Sequence, residues 1–205
     1  MRIAAIALVS PDAPAACRAI RGAVVVASLP AVRRAVLAAA GPGPASLDLY
    51  GHSTRGHHHL RLDRQVVDAL DHTVAAAFAA LAADGVFARA GIVRLRLLGC
   101  ETAVGPAAQA SLTRLARITG VSVLGTTRRL FAAHHGPAGF RPRFEGMLVE
   151  FTPAVTWPRV RRILPAGWPS LPWGALAPSS AWRSSSAVPA RSTRCHWWRA
   201  TPTLR

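Results

Sequence analysis

Short apolar runs, each closed by a turn residue, alternate with longer segments of helical period over residues 1–152, and this alternation restricts the architecture more than any other feature. Residues 3–9 (IAAIALV) stop at Ser10, Pro11 and Asp12. Residues 23–28 (AVVVAS) form a second run, and Pro30 then stands where a first helical turn tolerates it, ahead of AVRRAVLAAA. The GPGP of residues 41–44 ends that helix, and residues 47–51 form the next strand. Val67, Leu70, Val74, Phe78 and Leu81 recur at helical spacing, so a long helix is expected over about residues 64–83, closed by Asp84-Gly85. Residues 92–99 are a strand, residues 106–119 a helix opened by Pro106 and stopped by Gly120, residues 121–126 a strand, and residues 147–151 a last one. The pattern predicts an α/β fold: a mostly parallel central sheet, right-handed crossovers, and helices on both faces.

Residues 153–205 break the pattern. All six tryptophans and half of the sixteen prolines fall there among Ser/Arg clusters, without periodicity, so a disordered tail is expected from about Pro165. The net charge of +16 comes from 25 arginines and no lysine, eight of them in residues 151–205, where no acid is present. The rest are scattered, without a basic block or interleaved aromatics, and this argues against a nucleic-acid groove. No apolar run reaches the roughly 18 residues that a spanning helix needs. Cys17, Cys100 and Cys195 are odd in number and far apart, which fits a reducing compartment better than a disulfide framework. A cytoplasmic location is therefore expected. Export is the alternative, because Arg2 precedes seven apolar residues, although Pro14 stands where a lipoprotein cleavage box wants an aliphatic side chain.

Two of the strands end on chemically useful side chains. LDLYGHS delivers His52 behind Gly51, and LRLLGCET delivers Cys100 behind Gly99. A thiol nucleophile needs a proton-transfer partner of that kind, and in sheets of this class ligands sit beyond the carboxyl ends of the strands. A cysteine reacts as its thiolate, which an imidazole or a helix N-terminus stabilises; the helix opening near Pro106 and His52 are candidates for both. Glu101 opposes this with an adjacent negative charge. If the two strands are neighbours, Asp48 and Arg96 lie four residues before His52 and Cys100 on the same face and can pair beneath them.

GHS at the end of one strand and LLGCET at the end of the next resemble the caspase-like cysteine peptidases, the group that includes caspases, legumain, gingipains and separase. The likeness covers roughly residues 22–140 and is nearest to bacterial caspase-like domains with GH[GS], LLGC and VLGT segments. In caspases the histidine lies about 50 residues upstream of the cysteine. The resemblance implies Cys100 as nucleophile and His52 as general acid and base, with the backbone N–H groups of Ser53 and Cys100 facing the oxyanion. Ser53 stands where the family has glycine, and LGCET replaces the caspase QACRG, so no aspartate specificity carries over.

Three other readings compete. A caspase-like module without activity would serve binding or signalling. GHSTRG evokes a serine hydrolase with Ser53 as nucleophile, but Arg55 occupies the last glycine of the nucleophile elbow. His57, His58 and His59 suggest a metal, yet adjacent residues do not all face one ion, and a solvated basic loop is expected instead. The favoured expectation is a cysteine endopeptidase acting on a peptide or protein substrate, without cofactor or metal. Residues 126–135 (TTRRLFAAHH), the loop after the 121–126 strand, are the candidate substrate contact, and their Arg128 and Arg129 favour acidic side chains.

Overall fold

The computed structural model describes residues 3–39, 41, 43–56 and 58–153. The expected tail beyond Pro153, including Cys195 and the tryptophans, lies outside the described residues, as does His57. Strands β1 (Ala4–Val9), β2 (Val24–Val25), β3 (Ala45–Tyr50), β6 (Ile92–Leu98), β7 (Ser122–Thr126) and β10 (Leu148–Phe151) form one six-stranded sheet in the order β10-β7-β6-β3-β1-β2. All pairings are parallel except that of β10 with β7. The intervening helices are α1 (Ala15–Arg18), α2 (Leu29–Ala39), α3 (His72–Ala83), α4 (Val86–Arg89) and α5 (Pro106–Thr119). Two small antiparallel hairpins complete the described chain: β4 (Leu60–Leu62) with β5 (Gln65–Val67), and β8 (His135–Gly136) with β9 (Gly139–Phe140).

The strand order decides which face each helix covers. From β2 to β3, β6 and β7 the chain always steps in one direction, so right-handed crossovers put α2, α3 and α5 on one face. The step from β1 to β2 runs the other way and sends α1 to the opposite face. Packing follows this rule. Ile6, Leu8, Leu47, Leu49, Leu95, Leu97 and Val123 share a core with side chains of α2, α3, α4 and α5, among them Val32, Val36, Phe78, Leu81, Leu112 and Leu115. The alternate strand positions, Ala7, Val9, Tyr50 and Leu98, meet Cys17 and Ile20 with Leu130 and Phe140. Helices thus lie on both faces, but unequally. Among the described residues the second face carries only the four-residue α1, with loops and the β8–β9 hairpin doing the rest of the covering.

One expected element is different. Residues 64–71 are not the first turns of a helix: LRLDRQVV folds as the β4–β5 hairpin, with Asp63 in a left-handed conformation at its turn (φ 56°). Val67 is buried in the hairpin, whereas Leu70 is 45% exposed. Helix α3 starts only at His72, where the Asp71 carboxylate accepts from the N–H groups of Thr73 and Val74 at 2.7 and 3.1 Å and caps the helix. A strong cap with period-2 residues before it outweighs the helical spacing that Val67 and Leu70 happen to share.

Candidate active site

The geometry of the site begins with strand register. Asp48 pairs with Arg96 and Tyr50 with Leu98, an offset of 48 positions that β3 and β6 keep from Ser46 onward, after a register shift at Ala45. His52 and Cys100 differ by the same 48, so the two motif residues continue the ladder just beyond its last pair. Two levels below, Asp48 and Arg96 form the pair that the pleat predicts. Arg96 donates from Nε to Asp48 Oδ1 at 2.7 Å and from Nη2 to Oδ2 at 2.5 Å, with both side chains buried. The hydroxyls of Ser46 (2.6 Å) and Tyr50 (3.3 Å) also donate to the carboxylate. Burial alone would lower the Arg96 pKa, but the hydrogen bonds and charge of Asp48 raise it above its ordinary value. Burial and the Asp48 charge push the Tyr50 phenol up, so it remains a neutral donor to Asp48 while accepting from Phe140 N–H at 3.0 Å.

The glycines before the two reactive residues are demanded by close packing. A Cβ on Gly51 would collide with the backbone carbonyl oxygen of Arg61, because β4 crosses directly over it. At Gly99 a Cβ would lie 2.9 Å from Leu60 and 3.0 Å from Thr102. The β4–β5 hairpin therefore rests on both motifs at once. It also fixes the chain after His52: Arg61 N–H donates to the His52 carbonyl (2.7 Å) and Thr54 N–H to the His59 carbonyl (2.8 Å). Ser53 and Leu60 thus form a non-hydrogen-bonded antiparallel pair, which directs the Ser53 N–H away from the hairpin.

His52 is half-buried, and its Nε2 lies 2.9 Å from the carbonyl oxygen of Asp12, in the turn after β1. A carbonyl only accepts, so Nε2 carries the proton and Nδ1 of the neutral ring is left as the acceptor. Asp12 is itself anchored. Its carboxylate takes a hydrogen bond from Arg61 Nη2 (2.7 Å) and a short one from the Ser10 hydroxyl. Burial would raise the Asp12 pKa, but these bonds and the neighbouring charges of His52 and Arg61 hold the carboxyl below its usual value.

Cys100 is half-buried at the edge of the second apolar cluster, its Sγ 3.9 Å from the Leu130 carbonyl. The Ser53 hydroxyl donates to the Cys100 carbonyl and ties the two motifs together. Residues 101–105 form the turn between Cys100 and the start of α5. Glu101 adopts a left-handed conformation (φ 60°) and aims its carboxylate at Arg129 Nε (3.9 Å) and His58 Nδ1 (3.5 Å). Its negative charge thereby faces the Arg129 guanidinium.

Arg128 and Arg129 are exposed, on the segment that runs past the cysteine loop: Glu101 N–H donates to the Arg128 carbonyl at 3.1 Å. With Phe131, His134, Arg143 and Phe144 they line a cavity of about 650 Å³. Phe131 and His134 belong to the 126–135 segment expected to contact substrate, whereas sequence reasoning missed Arg143 and Phe144, which come from a segment without a motif, and Asp12, which acts through a carbonyl that every residue possesses. The expected solvated histidine loop is also different in detail. His59 is buried and faces Asp68 at 3.5 Å, whereas His58 faces Glu101. Among the described residues, no group of three His, Cys, Asp or Glu side chains is placed to hold a metal.

Fold and edge define an α/β protein with a largely parallel sheet that presents a histidine and a cysteine from neighbouring strands at its carboxyl edge. No protein-family model matches the chain, and no curated protein is similar to it in sequence. Among the described residues no helix is long and apolar enough to cross a membrane.

Proposed function

We propose that the chain is a cysteine endopeptidase of caspase-like type, working through Cys100 and His52 on a peptide or protein substrate. The Cys100 thiolate attacks the scissile carbonyl, and the tetrahedral oxyanion faces the backbone N–H groups of Ser53 and Cys100. His52, as the imidazolium, protonates the leaving amine, and the thioester forms. Neutral His52 then removes a proton from water, whose oxygen displaces Cys100 and releases the acid. The chemistry needs no cofactor. The single observation that carries this reading is the common offset of 48 that aligns His52 and Cys100 above the Asp48–Arg96 pair. The Asp12 carbonyl supports it by holding the imidazole in the tautomer with Nδ1 open to a proton.

A second reading is a catalytically silent binding or signalling module, favoured by the acidic Glu101 that follows Cys100 in the chain. The serine-hydrolase alternative is weakened, because the Ser53 hydroxyl spends its proton on the Cys100 carbonyl. The pH dependence of Cys100 alkylation by iodoacetamide, followed by peptide mass spectrometry, separates the first two. Cys17 is an internal control: it is buried, and burial together with nearby Cys100 pushes its thiol up to about 12. The dyad requires Cys100 to react well below the ordinary thiol range of about 8.5 and to lose that advantage in His52→Ala. Equal reactivity in both proteins supports the silent module. A peptide library tests the acidic preference assigned to Arg128 and Arg129, which fails if cleavage ignores acidic side chains.

A further inference from the structure

The cavity beside the cysteine loop has a composition that a single acidic side chain does not explain. Three of its lining residues are arginines, Arg128 and Arg129 after β7 and Arg143 from the 3₁₀ turn Pro142–Met147, and none is an acid. All three are exposed, and Glu101 reaches Arg129 only at 3.9 Å. The wall between them is aromatic. His134 lies between Phe131 and Phe144, with ring centroids 5.7 and 4.5 Å away, and the Arg143 guanidinium stacks over Phe144 at 4.7 Å. Burial and the Arg143 charge hold the His134 pKa below its usual value. Phe131 is 55% exposed.

A carboxylate neutralises one guanidinium and reaches little of the aromatic wall. The cavity, about 650 Å³, is open to solvent and has room for a ring with its charged group. A phosphoryl group brings a charge of about −1.5 to −2 and three acceptor oxygens, which suit several arginine forks, and an aryl ring suits walls of Phe and His. We propose that this cavity binds an aryl phosphate, as carried by a phosphorylated tyrosine of a peptide. The site shares Arg128 and Arg129 with the substrate contacts of the peptidase reading, but its binding step uses neither Cys100 nor His52.

Isothermal titration of the full chain with four pentapeptides, identical except for a central phosphotyrosine, phosphoserine, glutamate or tyrosine, tests it. The phosphotyrosine peptide binds at least tenfold more tightly than each of the others, and phenyl phosphate competes with it. Arg128→Ala with Arg143→Ala weakens the phosphopeptide at least tenfold while the urea midpoint of unfolding stays put, since both side chains are exposed. His52→Ala binds the phosphopeptide with unchanged affinity, so a failed dyad and a failed cavity give different results. Glutamate or phosphoserine binding as tightly as phosphotyrosine overturns the proposal, as does an affinity indifferent to the double arginine substitution.

Discussion

Acidification weakens this fold through one side chain, His135. The residue is 4% exposed, its ring set edge-on against Tyr50 with centroids 5.4 Å apart and tilted against Phe140 at 6.0 Å. Its Nδ1 is buried without a hydrogen-bond partner. Burial, assisted by the charges of His134 and Arg141, lowers its pKa from 6.5 to about 4. Above pH 6.5 the ring is neutral in both folded and unfolded chains, and this contribution to stability is complete. Below 6.5 the unfolded chain takes up a proton that the folded chain refuses until about pH 4, so stability falls with pH across that window. At 1.36 kcal/mol per unit of pKa, the loss approaches ~3 kcal/mol in full and about 2 kcal/mol between pH 7.5 and 5. Urea unfolding of the native chain and of His135→Phe at those two pH values isolates it, because carboxylates common to both proteins cancel. The phenylalanine variant loses about 2 kcal/mol less on acidification. Parallel losses in the two proteins would refute the assignment.

Two further substitutions test the scaffold under the site. Asp48→Ala leaves the buried Arg96 guanidinium with the half-exposed Glu145 carboxylate at 3.6 Å in place of its bidentate partner and costs about 3–5 kcal/mol, seen as a fall in Tm of roughly 6–20 °C, whereas Asp48→Leu with Arg96→Met recovers most of it. If Asp48→Ala unfolds within a degree or two of the native chain, the pair is not a stabilising element. Gly51→Ala drives a Cβ into the Arg61 carbonyl, so it lowers Tm and removes the His52-dependent part of Cys100 alkylation together. A normal Tm with normal alkylation would mean that the hairpin does not rest on the motif as described.

Much of the framework was legible from the chain. Helix α5 runs over the expected residues because its ends carry explicit signals, Pro106 in the first turn and left-handed Gly120 after the last. The strands were legible because apolar runs between turn residues have few other uses, and the Asp48–Arg96 pair followed from the two-residue pleat once β3 and β6 were taken as neighbours. The β4–β5 hairpin was hidden because Val67 and Leu70 fit a helical period with Val74, and because its turn, Asp63-Arg64, lacks the glycine that marks most two-residue turns. Period-2 alternation in LRLDRQVV was the signal to follow. At the site, His52 and Cys100 have identities that chemistry needs, so they stand out. Asp12 works through its backbone, and Arg143 and Phe144 meet the 126–135 segment only through the fold, so no local pattern marks them.

The unequal covering of the sheet bears on how such a protein diversifies. Its three long crossover helices share one face, and most of the apolar core lies beneath them. Every residue implicated in chemistry or recognition belongs instead to short segments on the other face or along the carboxyl edge. Insertions and substitutions in those segments leave the helical layer untouched, so a lineage can exchange one ligand preference for another, or abandon catalysis, at little risk to folding.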